Sequence, residues 1–402
     1  MSVTRGMLQL GTDILRELRR SDPEEANVVL SPYAAASALE ELLIGSQGLT
    51  AAQISAALYI PPEQRVSAYF DYCDREIPHR RRSDIMRFFD MGYLNNVHHD
   101  QSIVTIGPDT QTSEVAKQGM GYEFTLRRSA DAGCIKPSSL VCMLSVVDFR
   151  GSWKQAFDDR TATRGLFHES DGRATTVIMV HQTGRFRVAK CPDLNATAVE
   201  LPYETPGQCP RSATCRSHSG LSTPKSGSIT KAAVDAFAGP EFSLVVLLPM
   251  EKDGLELLES KLNAFTAMTC FGQLKARKRV RVSLPLLKVK LVTDMIPVLA
   301  ALGVKRVFTE DAELWGSTAG DKRVTLMRHA VAFETAQSGG RPQPRTKQRG
   351  LHLNGLMHGI RALVKVPRQI EQFTVDRPFA FFVTCAHPQA IMLLGSVRQI
   401  SS

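Results

Sequence analysis

The feature that most constrains this chain lies near its end. The run HAVAFETAQSGG opens at His329 as a strand-like pattern and gives way to about thirty polar, glycine-rich and basic residues. An apolar pattern resumes at DRPFAFFVT, which contains Phe379. A compact domain rarely carries so long a stretch without structure of its own unless that stretch is functional or disordered. Both flanks read as strands, so the stretch is a loop anchored at each end.

Anchoring such a loop takes a substantial core, and the composition supplies one. With 402 residues, 43% hydrophobic and 22% charged, the chain is globular, in one large domain or two smaller ones. Its net charge of +9 and pI near 9.2 favour acidic partners such as glycosaminoglycans, nucleic acid or anionic membrane, against the plainer reading of diffuse solubilising charge. Eight cysteines, at 73, 134, 142, 191, 209, 215, 270 and 385, show no CxxC and no tight spacing. They read mostly as free or buried thiols, neither a zinc site nor a dense disulfide framework. The opening MSVTRGMLQLGTDILRELRRSDPEE reads as an amphipathic helix and not a signal peptide, because Asp13, Arg16 and Glu17 interrupt any apolar core. No run approaches the roughly 18 apolar residues of a membrane span.

Catalysis needs a nucleophile, a base and an orienting group that can meet. The chain carries no GxSxG elbow, no phosphate-binding glycine loop and no HExxH. No enzyme, cofactor or metal is expected. His98, His99 and Asp100 could hold a metal, with a plain surface loop as the alternative. The basic run KARKRVRV stands out more. Extended, it places Arg277, Arg279 and Arg281 on one strand face, with Lys275 and Lys278 nearby, where they could grip a sulfated or phosphorylated polyanion. The other reading is a charged face or edge that blocks edge-to-edge pairing.

Along the chain, NVVLSP leads from a short strand into an alanine-rich helix capped by Ser31 and Pro32 and ending near Gly45, and LTAAQI starts another after Gly48. CIKPSSLVCMLSVVDFRGSWKQAFD gives a strand and the aromatic anchors Phe149, Trp153 and Phe157. FHESDGRATTVIMVHQTGRFRVAKCPDLNATAVELPYE and FSLVVLLPMEKDGLELLESKL read as antiparallel strands separated by Asp-Gly, Thr-Gly and Pro-Asp turns. Between them, residues 205–241 are rich in Ser, Thr, Pro and Gly, a composition that reads as a disordered insertion. VRVSLPLLKVKL, MIPVLAALGV and FFVTCAHPQAIMLLGSVRQI complete the pattern.

In its NVVLSP entry, its FxGxW strand end and the order of its later strands, the chain resembles the serpins over residues 27 to 400. The resemblance implies an α+β fold in one domain, 1–402: a five-stranded main β-sheet, two smaller sheets, surrounding helices and an exposed reactive-centre loop at 339–372. It implies a serine-type endopeptidase inhibitor acting by suicide trapping, with a trypsin-like or chymotrypsin-like partner. A monomer is expected, extracellular despite the missing signal peptide, with a cytoplasmic location as the alternative. Ser31 and His329 match the residues that hold the main sheet shut, while Ala34 stands where a serine is usual and Ser145 where an asparagine is usual.

In the implied mechanism a protease cleaves the loop and is carried across the molecule as the loop enters the main sheet as a new central strand. The hinge corresponds to Gly339, Gly340, Arg341, Pro342, Gln343, Pro344, Arg345 and Thr346, where the family keeps small residues. Arg341, Gln343 and Arg345 share one strand face; Gly340, Pro342, Pro344 and Thr346 share the other. Prolines in a central strand remove ladder donors, so insertion should be slowed or stopped. Counting from Gly339 puts the scissile bond near Leu353-Asn354, and counting back from Phe379 puts it nearer Arg361 to Arg368. Arg349, Arg361 and Arg368 suit a trypsin-like protease, Leu353 a chymotrypsin-like one. The alternative is a non-inhibitory serpin acting as a binding or carrier protein, with a polyanion as partner.

Overall fold

Apolar residues at three- and four-residue spacing make the first element a helix: in α1 (Val3–Ser21), Met7, Leu8, Leu10, Ile14 and Leu15 are buried while Arg16 and Arg20 face solvent. The computed structural model describes residues 3–60, 97–106, 140–149, 151, 153–157, 161–204, 241–274, 277–314, 323–335, 370–386 and 389–400. After β1 (Asn27–Leu30), Ser31 caps α2 (Pro32–Gly45): its hydroxyl accepts from the Ala34 amide, and Pro32 occupies the first turn, where no amide donor is needed. The helix α3 (Gly48–Ala57) follows.

The described strands form two sheets. In the four-stranded main sheet the order is β2 (Val97–Ile106), β3 (Leu140–Phe149), β10 (Arg323–Glu334) and β9 (Lys288–Asp294). Here β3 and β10 run parallel, while the outer pairs are antiparallel. The other sheet takes β1, β13 (Ala390–Val397), β12 (Phe379–Cys385), β7 (Phe242–Pro249), β6 (Ala196–Pro202), β5 (Ala174–Cys191), β8 (Arg277–Pro285) and β11 (Glu371–Thr374) in that order, with β4 (Thr163–His168) pairing β5. Helices α4 (Leu255–Lys261), α5 (Ala264–Gln273) and α6 (Met295–Ala301) complete the described elements. The core lies along β12 and β13, both almost wholly buried, with β13 packed against α1 and α2.

Among the described residues the main sheet shows four strands, and the strands of the smaller sheets join in one hydrogen-bonded path because β5 spans 18 residues and serves both. Two expectations change. The expected Thr183-Gly184 turn is absent. Both residues sit inside β5, paired in unbroken register to Arg281 and Val280 of β8. Gly184 is there for closeness, since a Cβ would lie 2.9 Å from the Phe186 ring. The Asp171-Gly172 turn does form, with Gly172 at φ +82, open to glycine at little strain. The reactive loop expected to end at 372 gives way to β11 at Glu371.

The cysteines also need correcting. Cys191, at the end of β5, is bonded to Cys270 of α5, with Cα atoms 5.6 Å apart, and Cys385 is a buried thiol outside that bridge. The bridge closes a separation of 79 residues, so replacing both cysteines by alanine should lower stability by about 2–4 kcal/mol. Urea unfolding of wild type and variant measures this. An unchanged midpoint would mean that the bridge does not constrain the unfolded chain.

One polar cluster ties the ends of the chain together. Glu259 of α4 receives Arg19 from the last turn of α1 at 3.0 Å and Arg398 from just beyond β13 at 3.0 Å, and it also accepts from the Ser396 hydroxyl. The Arg19 guanidinium further donates to the Glu25 carbonyl and to Ser396 Oγ. Burial lowers the proton affinity of Arg19, and the Glu259 carboxylate opposes that.

Candidate functional site

A histidine in mid-strand with almost no exposure needs its ring nitrogens satisfied. His329 of β10 is 2% exposed. Its Nε2 accepts from the Ser31 amide at 2.9 Å, and its Nδ1 lies 3.2 Å from Ser145 Oγ on β3. An amide can only donate, so Nε2 carries the lone pair. The ring is therefore the neutral Nδ1-protonated tautomer, donating to Ser145. Ser145 is the register partner of His329 across the parallel β3–β10 seam. One imidazole thus joins three elements: β10 through its backbone, β3 through Ser145, and the start of α2 through Ser31.

This geometry suits clamping and not proton transfer. Neither nitrogen can take the Ser145 proton, because one lone pair is engaged by an amide and the other nitrogen is itself the donor. Ser31 and His329 meet as expected, and Ser145 stands in for the usual asparagine by accepting one bond. Ala34 contributes its amide to the Ser31 cap.

Burial holds the His329 proton affinity down, from 6.5 to about 4. The sign of the pH effect follows. Between these values the unfolded chain binds a proton that the folded chain refuses, so stability is full above about pH 6.5 and falls as pH drops towards 4. The loss should reach about 3 kcal/mol. Protonation would also fill Nε2 and break the bond to Ser31. Melting wild type and His329→Asn from pH 7.5 to 4.5 tests this: the variant, less stable at neutral pH, should show a shallower pH dependence, and parallel curves would refute the assignment.

Four residues along the seam, Phe333 and Phe149 are register partners with stacked rings, centroids 6.3 Å apart. Phe333 also stacks on Phe381 of β12 at 4.4 Å. Phe149 meets Tyr203 edge-on, and Tyr203 stacks on Trp153 at 4.5 Å. The aromatic anchors were visible in the sequence, but their meeting across the seam was not. Beyond Phe333, β10 ends where Thr335 fixes the exit of the chain: its amide donates to the Leu287 carbonyl at 2.9 Å and its hydroxyl accepts from the Leu287 amide at 2.7 Å.

The remaining expected residues divide. Gly339, Gly340, Arg341, Pro342, Gln343, Pro344, Arg345, Thr346, Arg349, Leu353, Asn354, Arg361 and Arg368 lie outside the described residues, as does Lys275. Arg277 begins β8. Arg279 and Arg281 are exposed, while Val280, Val282 and Leu284 of the alternate positions are buried. Lys278 falls on the core-side parity, and its ammonium pairs with Glu371 at 3.8 Å. His98, His99 and Asp100 lie in β2, not in a surface loop. Among the described residues no group of three His, Cys, Asp or Glu is placed to hold a metal.

A family model described as "Serpin (serine protease inhibitor)" matches residues 129–210 and 232–400. This chain belongs to the serpin family. Among similar serpins, "Ipis-1" of Ixodes persulcatus is 24% identical, with 99% of each chain covered. The "Leukocyte elastase inhibitor" of Sus scrofa is 23% identical, with 95% of each covered. The crystal structure of native protease nexin-1 with heparin shares the serpin fold at TM-score 0.67 and 16% identity, over 99% of each chain. In this serpin, His329, Ser31 and Ser145 thus join two strands of the main sheet to the start of α2.

Proposed function

We propose that this serpin inhibits serine endopeptidases by suicide trapping, and that Pro342 and Pro344 lower the share of encounters that end in a trapped protease. The observation that carries the reading is the parallel β3–β10 seam, whose β10 end leads directly into the loop residues. A strand that turns back from β10 enters antiparallel to both neighbours. It exchanges one parallel ladder for two antiparallel ones, which are slightly more stable per residue. That gain can drive translocation of an attached protease. The relatives named as protease inhibitors agree with this direction.

A second reading, a non-inhibitory binding protein that favours polyanions, rests on the proline hinge. Incubation with trypsin and with chymotrypsin, followed by a denaturing gel, separates the two. A covalent species of summed mass supports trapping; complete cleavage with fully active protease sinks it. Under trapping, the cleaved chain also melts at a higher temperature than the intact one.

A further inference from the structure

We infer that the Tyr203 hydroxyl, unpartnered while the β3–β10 seam is shut, hydrogen-bonds the backbone of a strand entering that seam, at the point where the strand turns in from β10. The inference rests on the proposed trapping and gives that process a positioning residue. Tyr203 follows the last residue of β6, so it belongs to neither of the strands that would part. It is 2% exposed, and its hydroxyl has no hydrogen-bond partner among the described residues. A buried hydroxyl in that state costs the closed fold stability that a phenylalanine of the same shape would not.

The ring is fixed at the mouth of the seam. It meets Phe149 edge-on at 5.0 Å and stacks on Trp153 at 4.5 Å. Between those two residues the chain passes so close that a Cβ on Gly151 would collide with the ring. The backbone is fastened as well: the Tyr203 amide donates to the Phe242 carbonyl at 2.9 Å, and the Lys154 amide donates to the Pro202 carbonyl at 3.0 Å. Phe149 ends β3 and is the register partner of Phe333 on β10. Parting that pair therefore disturbs the packing directly against Tyr203 before any residue deeper in the seam is reached.

A strand entering there brings polar backbone groups into aromatic surroundings. Inside the seam, ladder bonds to β3 and β10 take up those groups. At the turn from β10, ahead of the ladder, they lack such partners, and buried backbone donors and acceptors need one. Phe149, Phe242 and Phe333, which pack together at this end, carry no polar side-chain atom. The Tyr203 hydroxyl can donate one bond and accept another. It thus favours the inserted state selectively: phenylalanine would serve the closed form at least as well and the inserted form less well.

The test compares wild type with Tyr203→Phe, each intact and after trypsin cleavage within residues 349–368, by thermal and guanidinium unfolding. The intact variant should melt at or above wild type, while its gain in midpoint on cleavage should be clearly smaller. In reactions with trypsin, the ratio of cleaved to trapped outcomes should rise about fivefold, the factor for one ordinary hydrogen bond felt during insertion. An intact variant melting below wild type would make the hydroxyl part of the closed fold and overturn the inference. Equal gains on cleavage in the two proteins would overturn it as well. A wild type that gains nothing on cleavage would instead refute trapping itself, and the inference would fall with it.

Discussion

Replacing Pro342 and Pro344 by alanine should sharply raise the yield of covalent protease complex. A proline on an edge strand can turn its missing donor towards solvent, but a strand entering between β3 and β10 has a neighbour on each side. Residues two apart direct their amides the same way, so both missing donors fall on one neighbour and leave two of its carbonyls short. At about 1–3 kcal/mol for each unsatisfied group, the inserted state loses roughly 2–6 kcal/mol. If half of this is felt in the transition state for insertion, the rate changes by about fivefold to 150-fold. Under the proposed trapping, insertion competes with release of the acyl-protease, so that factor acts directly on the outcome. The measurement is the number of serpin molecules consumed per protease inactivated, which should fall in the double variant. An unchanged ratio would show that the prolines do not govern the race.

The second large effect concerns the ends of the chain. Glu259→Gln should destabilise the protein by about 3–5 kcal/mol, because it leaves two largely buried guanidinium groups, Arg19 and Arg398, without their shared carboxylate. The arginine and glutamate side chains of the first pair are each only 9% exposed, so salt should screen the interaction weakly. Urea unfolding in low and high salt checks this, with the loss expected to persist in both. A loss that disappears in high salt would mark the cluster as a surface pair. Adding Arg19→Met should restore part of the stability, since it removes one of the stranded charges.

Much of this was open to sequence reading because serpin strands carry period-two apolar patterns and the Ser31 cap is a local signal. The clamp was legible for the same reason: His329 and Ser31 sit in motifs. What escaped notice depended on register or on distant packing. Thr183-Gly184 has turn composition, but β8 pairs straight across it, and only that pairing reveals glycine's role as a spacer. Arg185 stands apart from the basic run of β8 and joins it only through cross-strand opposition. Cys191 and Cys270 meet because α5 packs on β5, which no spacing rule foretells. The hinge, by contrast, was argued from proline chemistry alone, and its residues lie outside the described structure.

The two contacts across the seam differ in kind and in position, and this sets an order of events. A strand arriving from Thr335 reaches Phe333 and Phe149 first, and only four residues, about 13 Å, later reaches His329 and Ser145. Admitting it moves β3 and β10 from about 4.8 to about 9.6 Å apart, too far for either contact. The first latch is apolar and indifferent to acid; the second is a single neutral imidazole that acid would part from Ser31 at Nε2 while Nδ1 still donates to Ser145, so that β10 loses its tie to the start of α2. Under the proposed trapping, acidity should therefore leave the beginning of insertion unchanged and ease its completion, making the protonation state of one histidine a control on the last stretch of the protease's journey and not on its capture.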